Sequence, residues 1–325
     1  MAAKVLVIGG AGYIGAVCAE VLRRAGHHVT IFDDLSTGHR AACHDDLIVG
    51  DIRDRAALGE ALRRGGFDGV MHFAAKSLVG ESVSNPLTYF DNNTAGTLSM
   101  LQCMADAGVR VLVFSSTCAI YGQPERLPLD ETHPRAPITP YGVSKEMVEQ
   151  ILDQCRDREG FGITSLRYFN AAGAMPDGNL GESHDPETHL IPLCIHAVLG
   201  ERPPLKLFGT DYPTRDGTCV RDYIHVFDLA QAHLLALERL FQGESGSGYN
   251  LGTGAGTTVR EVMESVGRAM DAPVPYEAAP RREGDPTELY ADNERIVREL
   301  GWDPRHPDLD TITRTAVAWA RNPRY

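Results

Sequence analysis

Short apolar runs alternate with amphipathic segments along the first half of the chain. The runs typical of buried strands are Val5–Ile8, Val29–Phe32, Leu47–Val49, Val70–Phe73, Val111–Ser115 and Ile163–Tyr168. Between them, apolar residues recur at helical spacing in Ile14–Arg24, Ala56–Arg64, Leu87–Ala107 and a segment that begins at Pro140. This alternation predicts a βαβ series, and therefore a Rossmann-type, doubly wound parallel sheet of the α/β class.

The pattern loosens in "GAMPDGNLGESHDPETHLIP", which is rich in glycine, proline and polar residues. Beyond it, helices are predicted in mixed order at Leu193–Leu199, Val226–Arg239, Val259–Met270 and near the C-terminus. We therefore predict a nucleotide-binding domain over residues 1–175 and a smaller α+β substrate domain over residues 176–325. This division leaves open that some segments after residue 175, such as 220–240, pack against the first domain.

Composition excludes several classes of partner. The net charge of −13 leaves no basic stripe for a nucleic acid or an anionic membrane. The first strand begins at Lys4, which leaves no room for a signal peptide, and no run of about 18 apolar residues follows, so we expect a cytoplasmic protein. Seven scattered cysteines without C-x-x-C spacing predict reduced thiols. In "HDPETH", Pro186 interrupts any helix that would align His184 with His189, so we expect a loop and no metal site.

A glycine motif follows the first strand. In "VLVIGGAGYIG", Gly10, Gly12 and Gly15 have the G-x-G-x-x-G spacing that lets a pyrophosphate approach a helix N-terminus. Asp33 ends the next strand, 18 residues after Gly15, where a carboxylate can accept bonds from the adenosine ribose. That acid repels a 2′-phosphate, so NAD is favoured over NADP. A second cluster, "LGTGAG" at residues 251–256, lacks this context and is interpreted as a turn.

A tyrosine and a lysine stand one helical turn apart near a polar strand end. Thr139 and Pro140 predict a helix start that places Tyr141 and Lys145 on one face. The fifth strand ends in Ser115, Ser116 and Thr117, at the sheet edge where ligands of such folds bind. A lysine ammonium and a positive nicotinamide ring would both favour the phenolate, so Tyr141 is a candidate general base.

Several motifs together resemble the extended short-chain dehydrogenase/reductases. They are "GGAGYIG", "DDLSTGH", "GDIRD", "FSSTCAIYG", "YGVSK" and "RYFNAAGA". "FGTDYPTRDGTCVRDYIHVFDLA" and "APRREGD" are similar to those of the UDP-glucose 4-epimerases, also called UDP-galactose 4-epimerases. The related 4,6-dehydratases carry an Asp-Glu pair directly after the residue equivalent to Thr117. Cys118 and Ala119 stand there, so this chain lacks the dehydration pair.

The motifs and the resemblance imply NAD as cofactor and a UDP-hexose as substrate. The implied cofactor contacts are Gly9, Gly10, Gly12, Tyr13, Ile14, Gly15, Asp33, Asp34, Asp51, Ile52, Phe73, Asn92, Ser115, Tyr141, Lys145 and Tyr168. The implied nucleotide-sugar contacts are Thr117, Asn170, Leu190, Phe208, Arg221, Tyr223, Val259, Arg282, Asp285 and Leu289. In so acidic a chain, the two arginines are the local cations that a diphosphate needs.

The resemblance implies interconversion of UDP-glucose and UDP-galactose by Tyr141, Lys145 and Thr117. Tyr141, with Thr117 relaying or hydrogen-bonding, removes the proton of the sugar 4-hydroxyl while NAD takes hydride from the same carbon. The 4-keto sugar then turns and receives hydride on its other face. Leu289 stands where the family has a gate beside the sugar 2-substituent, which predicts a preference for plain hexoses; ordinary core packing is the alternative. A homodimer through 87–107 and 141–159 is also implied.

Two other functions remain open. One is 4-epimerisation of another UDP-sugar, such as an N-acetylhexosamine, a pentose or glucuronate. The other is a non-catalytic dinucleotide-sensing protein on the same fold, against which the intact Tyr141, Lys145 and Thr117 argue. In "FAAKSLVGES", Ser77 stands where some family members have a lysine, and Lys76 lies one residue earlier. Which of the two contacts the nicotinamide is open.

Overall fold

The computed structural model describes residues 2–282 and 284–325. Its strands are β1 Lys4–Ile8, β2 His28–Asp33, β3 Asp46–Val49, β4 Gly69–His72, β5 Val111–Thr117, β6 Gly162–Tyr168, β7 Asn170–Ala172, β8 Leu205–Phe208, β9 Val220–Arg221, β10 Tyr223–His225, β11 Gly248–Leu251, β12 Thr257–Thr258, β13 Tyr276–Ala279 and β14 Glu288–Leu289. Its α-helices are α1 Tyr13–Arg24, α2 Arg55–Gly65, α3 Val79–Ser84, α4 Pro86–Tyr89, α5 Gly96–Ala107, α6 Pro140–Glu159, α7 Leu190–Val198, α8 Val226–Phe241, α9 Val259–Met270, α10 Glu294–Leu300 and α11 Leu309–Arg321.

The main sheet has seven parallel strands in the order β3-β2-β1-β4-β5-β6-β11. The predicted doubly wound parallel sheet is confirmed. Its edge strand β11 comes from beyond residue 175 and pairs with β6, so both predicted domains contribute to one sheet. The strand order reverses between β1 and β4, and this switch point is where ligands bind in such sheets.

Both faces of the sheet are buried, which explains why its strands are continuous apolar runs. Successive strand residues point to opposite faces, so Val5 and Val7 join the core under α1 and α8, whereas Leu6 and Ile8 join the core under α2, α5 and α6. Helix α8, which covers most of 220–240, therefore packs beside α1 on the first face.

The predicted helix Leu87–Ala107 is interrupted, so that prediction is wrong in part. The structure has α4, a π-helical segment over Phe90–Ala95, and then α5. Within the π segment, the buried Asn93 side chain donates to the carbonyl oxygen of Lys76 and to the hydroxyl of Ser144, both at 3.0 Å. The widened turn places Asn93 against these two neighbouring elements, as π-bulges near functional sites commonly do.

The second half of the chain builds a smaller core from α7, α9 and α11 with β8. Strand β9 pairs with β12 and β14, and β8 pairs with β13. All seven cysteines are free thiols, and five of them are buried. Among the described residues, no helix combines the length and apolar character needed to cross a membrane.

Candidate active site

Two positions at the start of α1 have no room for a side chain: Gly9, in the turn after β1, and Gly15, in the first turn of the helix. Gly9 has a φ of +80°, and a Cβ atom there would lie 2.4 Å from the backbone nitrogen of Ala74. A Cβ atom on Gly15 would lie 2.1 Å from the carbonyl oxygen of Gly9. The turn is therefore packed tightly between β4 and α1. No described side chain caps α1 at Gly12, so its first N–H groups face the turn and fit a pyrophosphate.

Asp33 is held at the carboxyl end of β2 beside this turn. Its carboxylate oxygens accept hydrogen bonds from the backbone N–H groups of Ala11, at 2.9 Å, and Leu35, at 2.8 Å. Burial raises the pKa of Asp33, and these two hydrogen bonds oppose that shift. The carboxylate is thus fixed next to the glycine turn, as an acceptor for a ribose requires. Asp34 instead caps its own turn by accepting from Ser36.

The other predicted cofactor residues lie along the same edge of the sheet. Asp51 follows β3 and pairs with Arg53 at 2.6 Å, and Ile52 is buried against Gly96. Phe73 directly follows β4, and Asn92 lies in the π-helical segment.

Tyr13 and Lys76 each form a hydrogen bond with another residue of the chain. The Tyr13 hydroxyl donates to the carbonyl oxygen of Gly173 at 2.6 Å. The Lys76 backbone N–H donates to the Asn93 side chain at 2.8 Å.

The predicted catalytic side chains meet where β5 ends beside α6. Tyr141 and Lys145 are both buried. The Lys145 ammonium donates to the carbonyl oxygen of Ser115 at 2.8 Å, and the Ser115 and Tyr168 hydroxyls lie 2.5 Å apart. Burial raises the pKa of Tyr141 to about 12, while its hydrogen bond with Thr117 opposes that shift. The structure thus brings Ser115, Thr117, Tyr141 and Lys145 together at this edge, with Tyr168 beside them.

The pKa of Lys145 is lowered to about 7 by burial, and Glu149 opposes that shift. Glu149 lies one turn further along α6, and its carboxylate pairs with the Arg167 guanidinium at 2.6 Å and accepts from the Ser116 hydroxyl at 2.5 Å. Arg167 also donates to Tyr121 at 2.9 Å. Sequence reasoning missed this buried group. The spacing of Tyr141, Lys145 and Glu149 at four-residue intervals was the available signal.

The predicted phosphate-binding arginines, Arg221 and Arg282, each contact another predicted sugar residue, Asp285 and Phe208 respectively. Burial raises the pKa of the Cys219 thiol, and the charges of Arg221, Asp285 and Arg282 all act on it. Arg221 donates to the carbonyl oxygen of Pro286 at 2.9 Å and lies 3.4 Å from the Asp285 carboxylate.

The remaining predicted sugar residues flank these arginines. The Arg282 guanidinium lies 4.4 Å from the centre of the Phe208 ring. Leu289 stands opposite Arg221 in the β9–β14 pair. It packs against the apolar cluster that contains Cys118 and Phe169, and this cluster joins the end of β5 to β14.

Asn170 and Tyr223 face each other in the β7–β10 pair, and the Asn170 amide donates to the carbonyl oxygen of Asp222 at 2.9 Å. Leu190 and Val259 are the first residues of α7 and α9. The Asp222 carboxylate accepts from the Thr253 backbone at 2.8 Å, so it ties down the turn predicted at 251–256.

The segment His184–His189 is a loop, as predicted, but the absence of a helix does not keep its two imidazoles apart. The two ring centres are 4.9 Å apart because the loop folds back on itself. Burial opposes protonation of both rings, yet the carboxylates of Glu182 and Glu187 raise the pKa of His184 to about 9 and that of His189 to about 10. Proline excluded a helix here, but it did not exclude a compact loop.

The comparisons with known proteins agree with this geometry. The chain matches the model of the NAD dependent epimerase/dehydratase family over residues 5–252. It is 48% identical over 317 residues to the UDP-glucose 4-epimerase of Rhizobium meliloti (strain 1021), which covers 97% of this chain and 96% of that protein.

Two solved structures cover almost the whole chain. The UDP-glucose 4-epimerase from Brucella ovis in complex with NAD has a TM-score of 0.95 and 47% identity, over 97% of this chain and 98% of that one. The UDP-Glc/GlcNAc 4-epimerase from Campylobacter jejuni has a TM-score of 0.85 and 39% identity, over 98% and 99%.

A parallel nucleotide-binding sheet with a buried Tyr-x-x-x-Lys pair beyond its fifth strand defines a dinucleotide-dependent enzyme of the short-chain dehydrogenase/reductase class. Within that class, the chain belongs to the NAD dependent epimerase/dehydratase family. The predicted family, the α/β fold and NAD as the cofactor are confirmed.

Proposed function

We propose that the protein interconverts UDP-glucose and UDP-galactose by inverting C4 of the sugar. The observation that carries this proposal is that Tyr141 and Lys145 are buried beside the end of β5, where Lys145 donates to the carbonyl oxygen of Ser115 and Thr117 hydrogen-bonds Tyr141. The sequence relationship to UDP-glucose 4-epimerases along nearly the whole chain supports it.

In this proposal the chain supplies binding and proton transfer. The glycine turn and Asp33 would hold NAD, which would supply a reversible hydride acceptor beside C4 of the sugar. Tyr141 takes the proton of the 4-hydroxyl and later gives it back, and Thr117 holds the hydroxyl in line. Arg221 and Arg282 bind the diphosphate, so the hexose can turn while its nucleotide stays in place.

The test is incubation of the purified chain with UDP-galactose and no added cofactor, followed by separation of the two UDP-hexoses. We expect UDP-glucose to form, and NAD to be recovered from the denatured protein. Tyr141→Phe should fold normally and lose at least about a hundredfold in turnover, the usual scale of acid–base catalysis. Tyr276→Phe, at an exposed tyrosine, is the matched control.

Near-wild-type turnover by Tyr141→Phe would remove the tyrosine from the mechanism. NADP in the extract would overturn the role of Asp33. A folded chain that binds NAD but converts no UDP-sugar would favour the dinucleotide-sensing alternative.

A second candidate function is 4-epimerisation of UDP-N-acetylhexosamines as well. One observation favours it: the similarity to an enzyme named for both glucose and N-acetylglucosamine substrates. Leu289, of intermediate size at the predicted gate, instead predicts a preference for plain hexoses. Assaying both substrates with one preparation separates a strict hexose enzyme from a dual one.

We also infer a homodimer formed through 87–107 and 141–159. Leu87 is 80% exposed on α4, Leu98 is 42% exposed on α5, and Met147 is 41% exposed on α6. Phe90, Thr94, Ala95, Leu98 and Met147 line one shallow apolar hollow between these helices. Exposed apolar side chains that adjoin in this way are typical of a protein–protein interface.

A further inference from the structure

The loop that leads from β7 to α7 gathers four side chains that commonly bind metals. They are Glu182, His184, Glu187 and His189, and one donor atom from each lies within 4.8 Å of the other three. The group adjoins two residues that the resemblance assigns to ligand contacts, since the Tyr13 ring lies 6.1 Å from that of His184 and Leu190 directly follows His189. We propose that this cluster binds one Zn²⁺ or a similar divalent transition metal ion.

The distances between donor atoms fit a tetrahedral site. The His189 Nδ1 atom lies 3.0 Å from Glu182 Oε1 and 2.9 Å from Glu187 Oε1. The His184 Nδ1 atom lies 3.3 Å from Glu182 Oε1 and 3.5 Å from Glu187 Oε2. Zinc bonds of about 2.0–2.1 Å require about 3.3 Å between neighbouring ligands in a tetrahedron. These four distances are close to that value, but Glu187 presents a different oxygen to each histidine, so its carboxylate would have to turn to bind the ion.

The Nδ1 atom of His184 lies between two carboxylates, which suits an ion shared by the cluster better than a bond to one of them. This atom is buried, and among the described residues no hydrogen bond of good geometry satisfies it, although two carboxylate oxygens are within 3.5 Å. A buried polar atom without such a bond is costly. An ion at the centre of the cluster would satisfy this nitrogen and both carboxylates together.

The donor set selects the kind of metal. Two imidazoles with two carboxylates suit zinc and its neighbours, whereas Mg²⁺ and Ca²⁺ prefer oxygen ligands alone. Two carboxylates also balance the charge of one divalent cation. Four protein ligands leave no open position in a tetrahedron, so the ion would be structural.

The loop is anchored on several sides, which limits the ordering that binding would require. The Trp319 indole donates to the carbonyl oxygen of Glu182 at 2.8 Å. The His39 ring nitrogen lies 3.4 Å from the carbonyl oxygen of Ser183. The Tyr13 ring meets the edge of His184 with centres 6.1 Å apart. Helix α7 begins directly after His189, so a bound ion would also fix the start of that helix.

The test is a calorimetric titration of the untagged, chelator-treated chain with ZnCl₂, together with its Tm measured at several zinc concentrations. We expect one ion per chain, and a Tm that rises with zinc concentration. His184→Gln and His189→Gln should each weaken binding by at least about 10- to 100-fold, because even outer-shell partners of metal sites have effects of that size. His196→Gln, at an exposed histidine paired with Glu201 outside the cluster, is the matched control.

The absorption spectrum of bound Co²⁺ distinguishes binding at this cluster from binding at the cysteine thiolates. Bound Co²⁺ should show the visible absorption of a tetrahedral site without a thiolate charge-transfer band. A thiolate band would overturn the proposal. So would wild-type zinc affinity in both histidine variants, provided that their circular dichroism shows that they are folded. No stoichiometric binding by the wild-type chain would mean that the cluster is an ion-pair network only.

Discussion

Burial shifts the pKa values of Tyr141 and Lys145 in opposite directions, and in both cases it favours the neutral side chain. Sequence reasoning expected Lys145 to favour the Tyr141 phenolate, but in this structure burial dominates and raises the Tyr141 pKa to about 12. The Lys145 pKa falls to about 7, and Glu149 opposes that fall. Ionisation of Tyr141 therefore depends on every positive charge brought near it, including the nicotinamide ring.

At the residue scale, Lys145→Met should move the pH optimum of turnover upward. A cation beside a phenol favours the phenolate, so its removal should raise the pKa of Tyr141, and a pKa higher by about one would lower the rate at neutral pH about tenfold. The measurement is turnover of UDP-galactose as a function of pH. Arg158→Met removes an exposed cation from the far end of the same helix and should leave the profile unchanged. An unchanged profile for Lys145→Met would count against tuning by this lysine.

Leu289 tests substrate choice at the same scale. Because leucine is intermediate in size and cannot hydrogen-bond an acetamide, we expect N-acetylhexoses to be turned over about 10- to 200-fold less efficiently than plain hexoses. Leu289→Ser should raise activity on UDP-N-acetylglucosamine and spare UDP-glucose, whereas Leu289→Tyr should abolish the former. Leu127→Ser, in the same apolar cluster, is the control. If both Leu289 variants keep the wild-type ratio of activities, this residue only packs.

At the element scale, local signals decide where α6 begins and what it presents. The Thr139 hydroxyl accepts from the backbone N–H of Gly142 at 3.2 Å, and Pro140 is the first helical residue. The helix is 20 residues long, so Tyr141, Lys145 and Glu149 lie on successive turns of one face. An N-cap and a proline thereby place three ionisable side chains at the end of β5.

At the same scale, Gly15→Ala tests how closely α1 packs on the glycine turn. The new methyl group would overlap the carbonyl oxygen of Gly9, and such overpacking costs about 1–3 kcal/mol. We expect a lower Tm and less NAD recovered per chain after denaturation. Gly80→Ala is the matched control, since a Cβ atom there meets nothing within 4 Å. Equal NAD content in both variants would contradict the assigned turn.

At the scale of the whole molecule, the exposed apolar face on α4, α5 and α6 predicts assembly. Leu98→Glu should convert the dimer to a monomer in sedimentation velocity, because it places a charge in the centre of an apolar interface. Leu199→Glu is the control, since Leu199 is equally exposed, at 42%, but lies elsewhere on the surface. Dimers that persist in Leu98→Glu, or a monomeric wild type, would refute the inferred interface.

The sequence by itself determined the features that depend on neighbours along the chain. Apolar runs predicted six strands of the main sheet, and glycine spacing predicted the turn beside Asp33, because backbone conformation and side-chain periodicity are local properties. The pair Tyr141–Lys145 was predictable for the same reason, since one helical turn sets its spacing. The arginines and Leu289 were predictable only through resemblance to a family.

Only the tertiary structure decided which distant residues meet. Glu149 pairs with Arg167 because α6 packs on β6, and Leu289 lies beside Cys118 because β14 folds back toward β5. Proline at 186 predicted a loop, but the fold of that loop, anchored by Trp319, brings His184 and His189 together. Such contacts arise from long-range packing, and the spacing of residues along a chain does not encode which loops and strands will be adjacent in space.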